Sequence, residues 1–184
     1  MSFDSQPVLQ GDLVELRPLR PDDYPDLYAV ASDPLIWEQH PASDRYEEAV
    51  FQAFFAEALA SGGALVAIDA GSRRILGSSR YHAYDPERSE VEIGWTFLAR
   101  SHWGGRYNGE MKRLMLGHAF RFVRSVVFLI GTGNVRSQRA VERIGAVRVG
   151  TRAEPDGRVS YVYRIEAPAQ TTGGGSEEGT PLDQ

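Results

Sequence analysis

Two features of the chain are able to carry chemistry. The first is Trp103-Gly104-Gly105-Arg106-Tyr107-Asn108-Gly109-Glu110, a glycine turn at the start of a helix. It directly follows the strand-like run Val91-Glu92-Ile93-Gly94-Trp95-Thr96-Phe97-Leu98. Backbone N–H groups at a helix start have no intrahelical acceptor, and the helix dipole adds partial positive charge there. Glycines let a phosphate approach that backbone closely, so the turn reads as a phosphate or pyrophosphate site. A Walker loop is excluded because no GK[ST] occurs. A Rossmann site is disfavoured because the glycines are not spaced GxGxxG and no βαβ repeat precedes them. The second feature is Glu90-Val91-Glu92-Ile93, whose alternation puts both carboxylates on one face of a strand. They form either an acid–base site or a solvated polar face. The four histidines (His40, His82, His102 and His118) show no metal-ligand spacing, and there is no cysteine to act as nucleophile or thiolate ligand.

The positioning elements follow from periodicity and breakers. Leu13–Pro18 alternates as a half-buried strand. Pro21-Asp22-Asp23 opens a helix to about Ser32, which Asp33-Pro34 breaks. Asp44 reads as the cap of a second helix, with Glu47 at the capping-box position and Ser61-Gly62-Gly63 at its end. Ala64–Ala70 and Arg74–Tyr84 are strands joined by Ala70-Gly71-Ser72, and Ser89–Ala99 is a longer strand. After the glycine turn a helix is expected over about 107–124. Met111, Leu114, Met115, His118, Ala119 and Phe122 form its apolar face, which makes His118 a core residue. Val126–Gly131 is an apolar strand of the kind buried deep in a sheet. Asn134 caps a helix to about Ile144, with Gly145 at its C-terminal cap position. Val147–Arg152 and Arg158–Glu166 are the final strands. The predicted class is α/β. A mostly antiparallel sheet of about six or seven strands is flanked by about four helices, with one parallel step around the 107–124 helix.

The chain has 184 residues, enough for one domain with a real core. Residues 1–11 lack periodicity and are expected to be a loose arm. Residues 12–168 form the domain, and the Gly/Ser/Glu-rich segment 169–184 is expected to be disordered. Net charge is −5, and Glu177, Glu178 and Asp183 lie in that tail, so the body shows no basic surplus for nucleic acid. No apolar run reaches membrane-span length and the N-terminus has no signal pattern. A cytoplasmic protein without nucleic-acid or membrane partners is therefore expected. Nearly all basic residues are arginine, and Lys112 is the only lysine.

Three segments together resemble the Gcn5-related N-acetyltransferase (GNAT) superfamily, and within it the RimJ/RimL-type branch. They are Leu13-Val14-Glu15-Leu16-Arg17-Pro18-Leu19 with Asp22-Asp23; Ile93–Leu98 running into Trp103–Glu110; and Asn134-Val135-Arg136-Ser137 with Glu142-Arg143-Ile144-Gly145-Ala146. The resemblance covers about residues 11–167. It implies acetyl-CoA as the acyl donor, a primary amine as acceptor (a protein N-terminus or a small molecule), and direct attack of that amine on the thioester. It also implies a splayed central pair of parallel strands that admits the pantetheine arm. Homodimer formation is left open. The alternatives are an acyl-CoA-binding module without turnover, or an interaction domain that has lost the coenzyme.

By that resemblance, Trp103, Gly104, Gly105, Arg106, Tyr107, Asn108 and Gly109 cradle the pyrophosphate, and Trp95, Thr96, Phe97 and Leu98 meet the pantetheine amides. A backbone N–H near Phe97 polarises the thioester carbonyl. Asn134 reaches the arm beyond its capping role. Glu92 is the general base, with the solvated face as its other reading. Many family members carry a tyrosine acid seven residues after this asparagine. Here that position is Val141, so Ser137 is the remaining partner for the leaving sulfur, or else a small packing residue. Trp37, His40, Tyr81, His82 and Tyr84 are the expected lining of the acceptor groove. The loop departs from the family pattern [Arg/Gln]-x-x-Gly-x-[Gly/Ala], in which Ser101 takes the first position and Arg106 the last. Arg106 either obstructs the pyrophosphate or binds it through its guanidinium.

Overall fold

The computed structural model describes residues 2–169. The strands are β1 (Leu9–Gln10), β2 (Val14–Pro18), β3 (Ala64–Asp69), β4 (Ile75–Asp85), β5 (Glu90–Leu98), β6 (Ser125–Gly131), β7 (Val147–Ala153) and β8 (Val159–Glu166). The helices are α1 (Tyr24–Ala31), α2 (Pro34–Trp37), α3 (Glu48–Ala60), α4 (Arg106–Ala119) and α5 (Val135–Arg143). One sheet runs β1-β2-β3-β4-β5-β6-β8-β7. Every neighbouring pair is antiparallel except β5·β6, which is parallel and joined through α4.

Alternation along the strands divides the core in two. Leu65 and Ala67 face Met111, Met115, Leu116 and Ala119 of α4. Ala64, Val66 and Ile68 face Leu27 and Ala31 of α1 and Phe51, Phe54, Phe55 and Ala58 of α3. The sheet is therefore covered on both faces, as its continuously buried β3 requires. Each fully buried aliphatic side chain contributes roughly 1.5–3 kcal/mol. Glu110, in the first turn of α4, fixes that helix against the sheet. Its carboxylate accepts the amides of Leu13 (2.7 Å), Val14 (2.8 Å) and Asp12 (3.1 Å). Burial alone would raise its pKa, but these amides outweigh burial and hold it below the usual range.

Local chemistry moved several expected boundaries. The arm is packed rather than loose: Leu9–Gln10 pairs with β2, and the Phe3 ring sits among Tyr81, Tyr84, His118 and Phe122 at 5.0–5.7 Å. Single anchors of this kind leave no periodic trace in the sequence. Residues 21–23 form a 3-10 turn before α1. Asp33 starts α2 instead of only ending α1, its side chain accepting the Leu35 amide. The turn at Asp44 is separate from α3, whose cap is Glu47 without a side-chain bond. Helix α4 stops at Ala119, short of the expected 124. The tail expected to be disordered lies outside the described residues apart from Ala169.

Candidate active site

Parallel pairing between β5 and β6 lasts for three residues, Glu90–Glu92 against Ser125–Val127. Beyond Glu92 the two strands part because each keeps its other neighbour. β6 stays paired with β8 along Ser125–Gly131. β5 stays with β4 through a bulge between Ser78 and Arg80, with Trp95 in the left-handed region at φ +52°. A bulge adds a residue and bends its strand, here away from β6. A non-glycine residue held in that region costs of order 1–3 kcal/mol and marks a site that its surroundings over-determine.

The parting opens a cleft of about 1460 Å³. Ile93–Leu98 forms one wall and Phe128–Gly131 the other. At the outer end stands the glycine turn. Gly104 and Gly105 have φ of +110° and +106°, conformations that L side chains avoid, and no atom lies within 4 Å of where their Cβ atoms would stand. The first amide of α4 to find a carbonyl is that of Gly109, on Gly105 O at 2.7 Å. Among the described residues the amides of Gly104–Asn108 find no acceptor, and open space surrounds Gly104 and Gly105. Trp103 flanks them, its indole N–H bonded to Leu98 O and its ring stacked under Arg136 at 4.0 Å. A roof comes from the segment after α2: Gln39 Oε1 accepts the Arg136 amide, and Pro41 packs where a Cβ on Gly131 would stand.

Glu92 lies near the closed end, 5% exposed, and lines the cleft. Gly94 leaves room for its carboxylate, since a Cβ there would stand 3.2 Å from Glu92 Oε1. Burial, partly countered by Arg152, pushes the Glu92 pKa up to about 7. Glu90 on the same strand is structural: its Oε2 binds Arg164 at 2.8 Å and the Ser125 hydroxyl. The two acids of the motif are thus separated in role by environment.

Asn134 and Ser137 line the opposite wall. Asn134 Oδ1 caps α5 on the Ser137 amide at 3.2 Å, which leaves its NH₂ group for the cleft. Val141 also lines the cleft and offers no proton donor. Trp95, Thr96, Phe97, Leu98, Trp103, Gly104, Gly105 and Asn108 all line it as expected. Arg106, Tyr107 and Gly109 do not line it. The Tyr107 hydroxyl instead donates to Asp69 at 3.0 Å.

Of the expected acceptor residues, Trp37, His40 and His82 line the cleft. Trp37 is also core, its indole N–H on Ala31 O at 2.7 Å. Burial, reinforced by Arg45 and Arg158, lowers the His40 pKa to about 4, and its Nδ1 accepts the Ala42 amide. Tyr81 and Tyr84 must be withdrawn from the groove. Strand alternation turns Tyr81 to the α4 face, where its hydroxyl bonds Met115 O, and both rings pack on Phe3. His118 is core as expected, bonded to Asp4 O.

Arg45 and Lys112 are among the lining residues that escaped the sequence reading. Arg45 lays its guanidinium over Phe54 (4.4 Å) and Trp37 (5.3 Å). Lys112 points from α4 into the parting, 4% exposed, with Nζ 2.6 Å from Thr96 Oγ1. Its signal was its uniqueness as a lysine. Helical periodicity leaves Lys112 off the apolar face, whereas in the structure Lys112 and Leu116 are buried together with Met111, Met115, His118 and Ala119.

Comparisons with known proteins place the chain in a family and a fold. The Acetyltransferase (GNAT) domain family matches residues 14–147. A crystal structure described as an acetyltransferase is 30% identical over 86% of each chain, with a TM-score of 0.71. A second, from T. thermophilus, is 29% identical over 86% of this chain and 88% of that one, with a TM-score of 0.68. The Mycobacterium smegmatis RimJ structure, in complex with CoA-disulfide, has the same fold at 18% identity over 84% and 82% of the chains, with a TM-score of 0.64. Among curated proteins none matches. The chain belongs to the GNAT acetyltransferase family, and its fold is the mixed α/β fold of that family.

Proposed function

We propose that the protein is an acetyl-CoA-dependent N-acetyltransferase of the RimJ/RimL type that moves an acetyl group to a primary amine. The observation that carries this reading is the parting of β5 from β6 against a turn with five unclaimed amides. The residues fit the donor. Bare glycines face open space at the turn, where a diphosphate would sit, and unpaired strand edges run inward, where amide-bearing arms find partners. Acetyl-CoA supplies the acetyl group as a thioester. Trp95–Leu98 and the Asn134 amide hold the arm in register, and a β5 N–H near Phe97 stabilises charge growing on the carbonyl oxygen.

Glu92 takes the proton of the incoming ammonium. A carboxylate of pKa about 7 is matched to that task near neutral pH, because it is partly ionised and still basic enough to accept. Trp37, His40 and His82 line the acceptor's side of the cleft. The Ser137 hydroxyl is the donor for the departing sulfur in the place left by Val141. Attack is direct: no acyl intermediate is needed, which fits a chain without cysteine.

Val141 also favours a second reading, a module that binds acyl-CoA without turnover. A free-thiol assay over a panel of amines and peptides separates the two. Thiol release that depends on the amine supports the transferase. Coenzyme binding without release across the panel supports the module.

A further inference from the structure

Lys112 is the one lysine of the chain, and it stands inside the cleft. Its side chain leaves α4 and ends in the parting of β5 and β6, with Nζ 5.2 Å from the Phe128 ring centre on one side and 2.6 Å from Thr96 Oγ1 on the other. Among the described residues no carboxylate lies within ion-pair distance. The polar contacts run in one direction: Lys112 donates to Thr96, Thr96 lies 2.8 Å from Ser79 Oγ, and Ser79 points on to Gly94 O. That chain uses one hydrogen on Nζ, and Lys112 lines the cleft beside it. Burial in apolar surroundings lowers the basicity of Lys112 to about 7, so a substantial share carries a lone pair at neutral pH. Lys112 approaches from the α4 side of the sheet. Glu92 and the acceptor-lining residues occupy the other side, so the two can act on one thioester from opposite faces.

We propose that Lys112 is an internal acceptor, and that the enzyme acetylates this residue on itself when acetyl-CoA fills the cleft. The inference rests on the donor assigned above. In the step, the Nζ lone pair attacks the thioester carbonyl carbon. The new C–N bond forms, the C–S bond breaks, and its electron pair leaves on sulfur. The proton shed by nitrogen goes to that sulfur, so the products are Nε-acetyl-Lys112 and free coenzyme thiol, with no outside reactant. The product is self-limiting. It is uncharged, no longer nucleophilic, and holds an acetyl group in the space between Thr96 and Phe128 that the arm needs.

The test needs no knowledge of the natural acceptor. The full chain is incubated with acetyl-CoA at neutral pH, natively and unfolded in guanidinium chloride, and followed by intact mass, peptide mapping and free thiol. Melting temperature with and without acetyl-CoA is recorded in parallel. The native chain is expected to gain a single acetyl group at Lys112 with matching thiol release. The unfolded chain and Lys112→Arg are expected to lose that signal. Should the arginine variant fail to fold, the native and unfolded arms decide alone. Equal labelling of both arms would mean adventitious chemistry and overturn the proposal. An unlabelled Lys112 in a chain that acetyl-CoA clearly stabilises overturns it too, while leaving the transferase reading intact. An unlabelled Lys112 with no thermal shift removes both.

Discussion

Glu92 and Glu90 are two residues apart on one strand, and only their surroundings tell them apart. Arg164 and Ser125 hold Glu90, whereas Glu92 is buried over Gly94 without a strong partner and its pKa rises to about 7. Glu92→Gln keeps the shape and removes the proposed base. Turnover is expected to fall about 10²- to 10⁴-fold, the range for a lost general base, with acetyl-CoA affinity nearly unchanged. In the wild type the rate is expected to climb as pH rises through about 7, because only ionised Glu92 accepts the proton. A pH–rate profile and a coenzyme titration on both proteins check this, and an unchanged rate in Glu92→Gln excludes it as base. The sequence made Glu92 visible as a carboxylate on a strand face. Its setting depends on residues far away in sequence: it pairs with His82 of β4 and Val127 of β6, and Arg152 of β7 partly counters its pKa shift, which no local pattern encodes.

At the scale of elements, the glycine turn was the most legible part of the chain. Helix start, glycine run and preceding strand are all local in sequence, and the structure puts two of the glycines at positive φ. The Arg106 alternatives are also local: the residue is the first of α4 and is absent from the cleft lining. Arg106→Gly is therefore expected to change acetyl-CoA affinity less than about threefold. Gly105→Ala, which forces a side chain into φ +106°, is expected to weaken it by about 1–2 kcal/mol through strain in the turn. Titration calorimetry on the two variants decides. A tenfold change for Arg106→Gly, in either direction, would make its guanidinium or its bulk a ligand-site feature after all. The arm shows the opposite case. Phe3 joins four rings contributed by β4, α4 and the turn after it, all far away in sequence, so no window around Phe3 could reveal it. Phe3→Ala is expected to cost about 2 kcal/mol, less than for a fully buried phenylalanine because Phe3 is partly exposed. Denaturant unfolding measures that loss.

For the molecule as a whole, two buried ionisable side chains of the cleft, Glu92 and Lys112, oppose the fold near neutral pH. Burial, its largest cause, raises Glu92 from 4.5 to about 7, so between those values the folded state holds a proton that the unfolded state has lost. Stability from this group is present at low pH and falls as pH climbs through that window. Burial lowers Lys112 from 10.5 to about 7, so above 7 the unfolded state holds the extra proton and stability rises with pH. The two slopes meet near pH 7, where both groups work against folding. Removing them reads each slope separately. The melting-temperature advantage of Glu92→Gln over the wild type is expected to grow from about pH 5 to 7. That of Lys112→Met is expected to be largest near and below pH 7, about 1–2 kcal/mol, and to shrink toward pH 9. The same burial that shifts the two groups toward neutral pH is what the folded chain must pay for. Thermal scans of the three proteins across that pH range test the idea, and flat differences would mean that solvent reaches both groups and the parting of β5 and β6 is too wet to tune them.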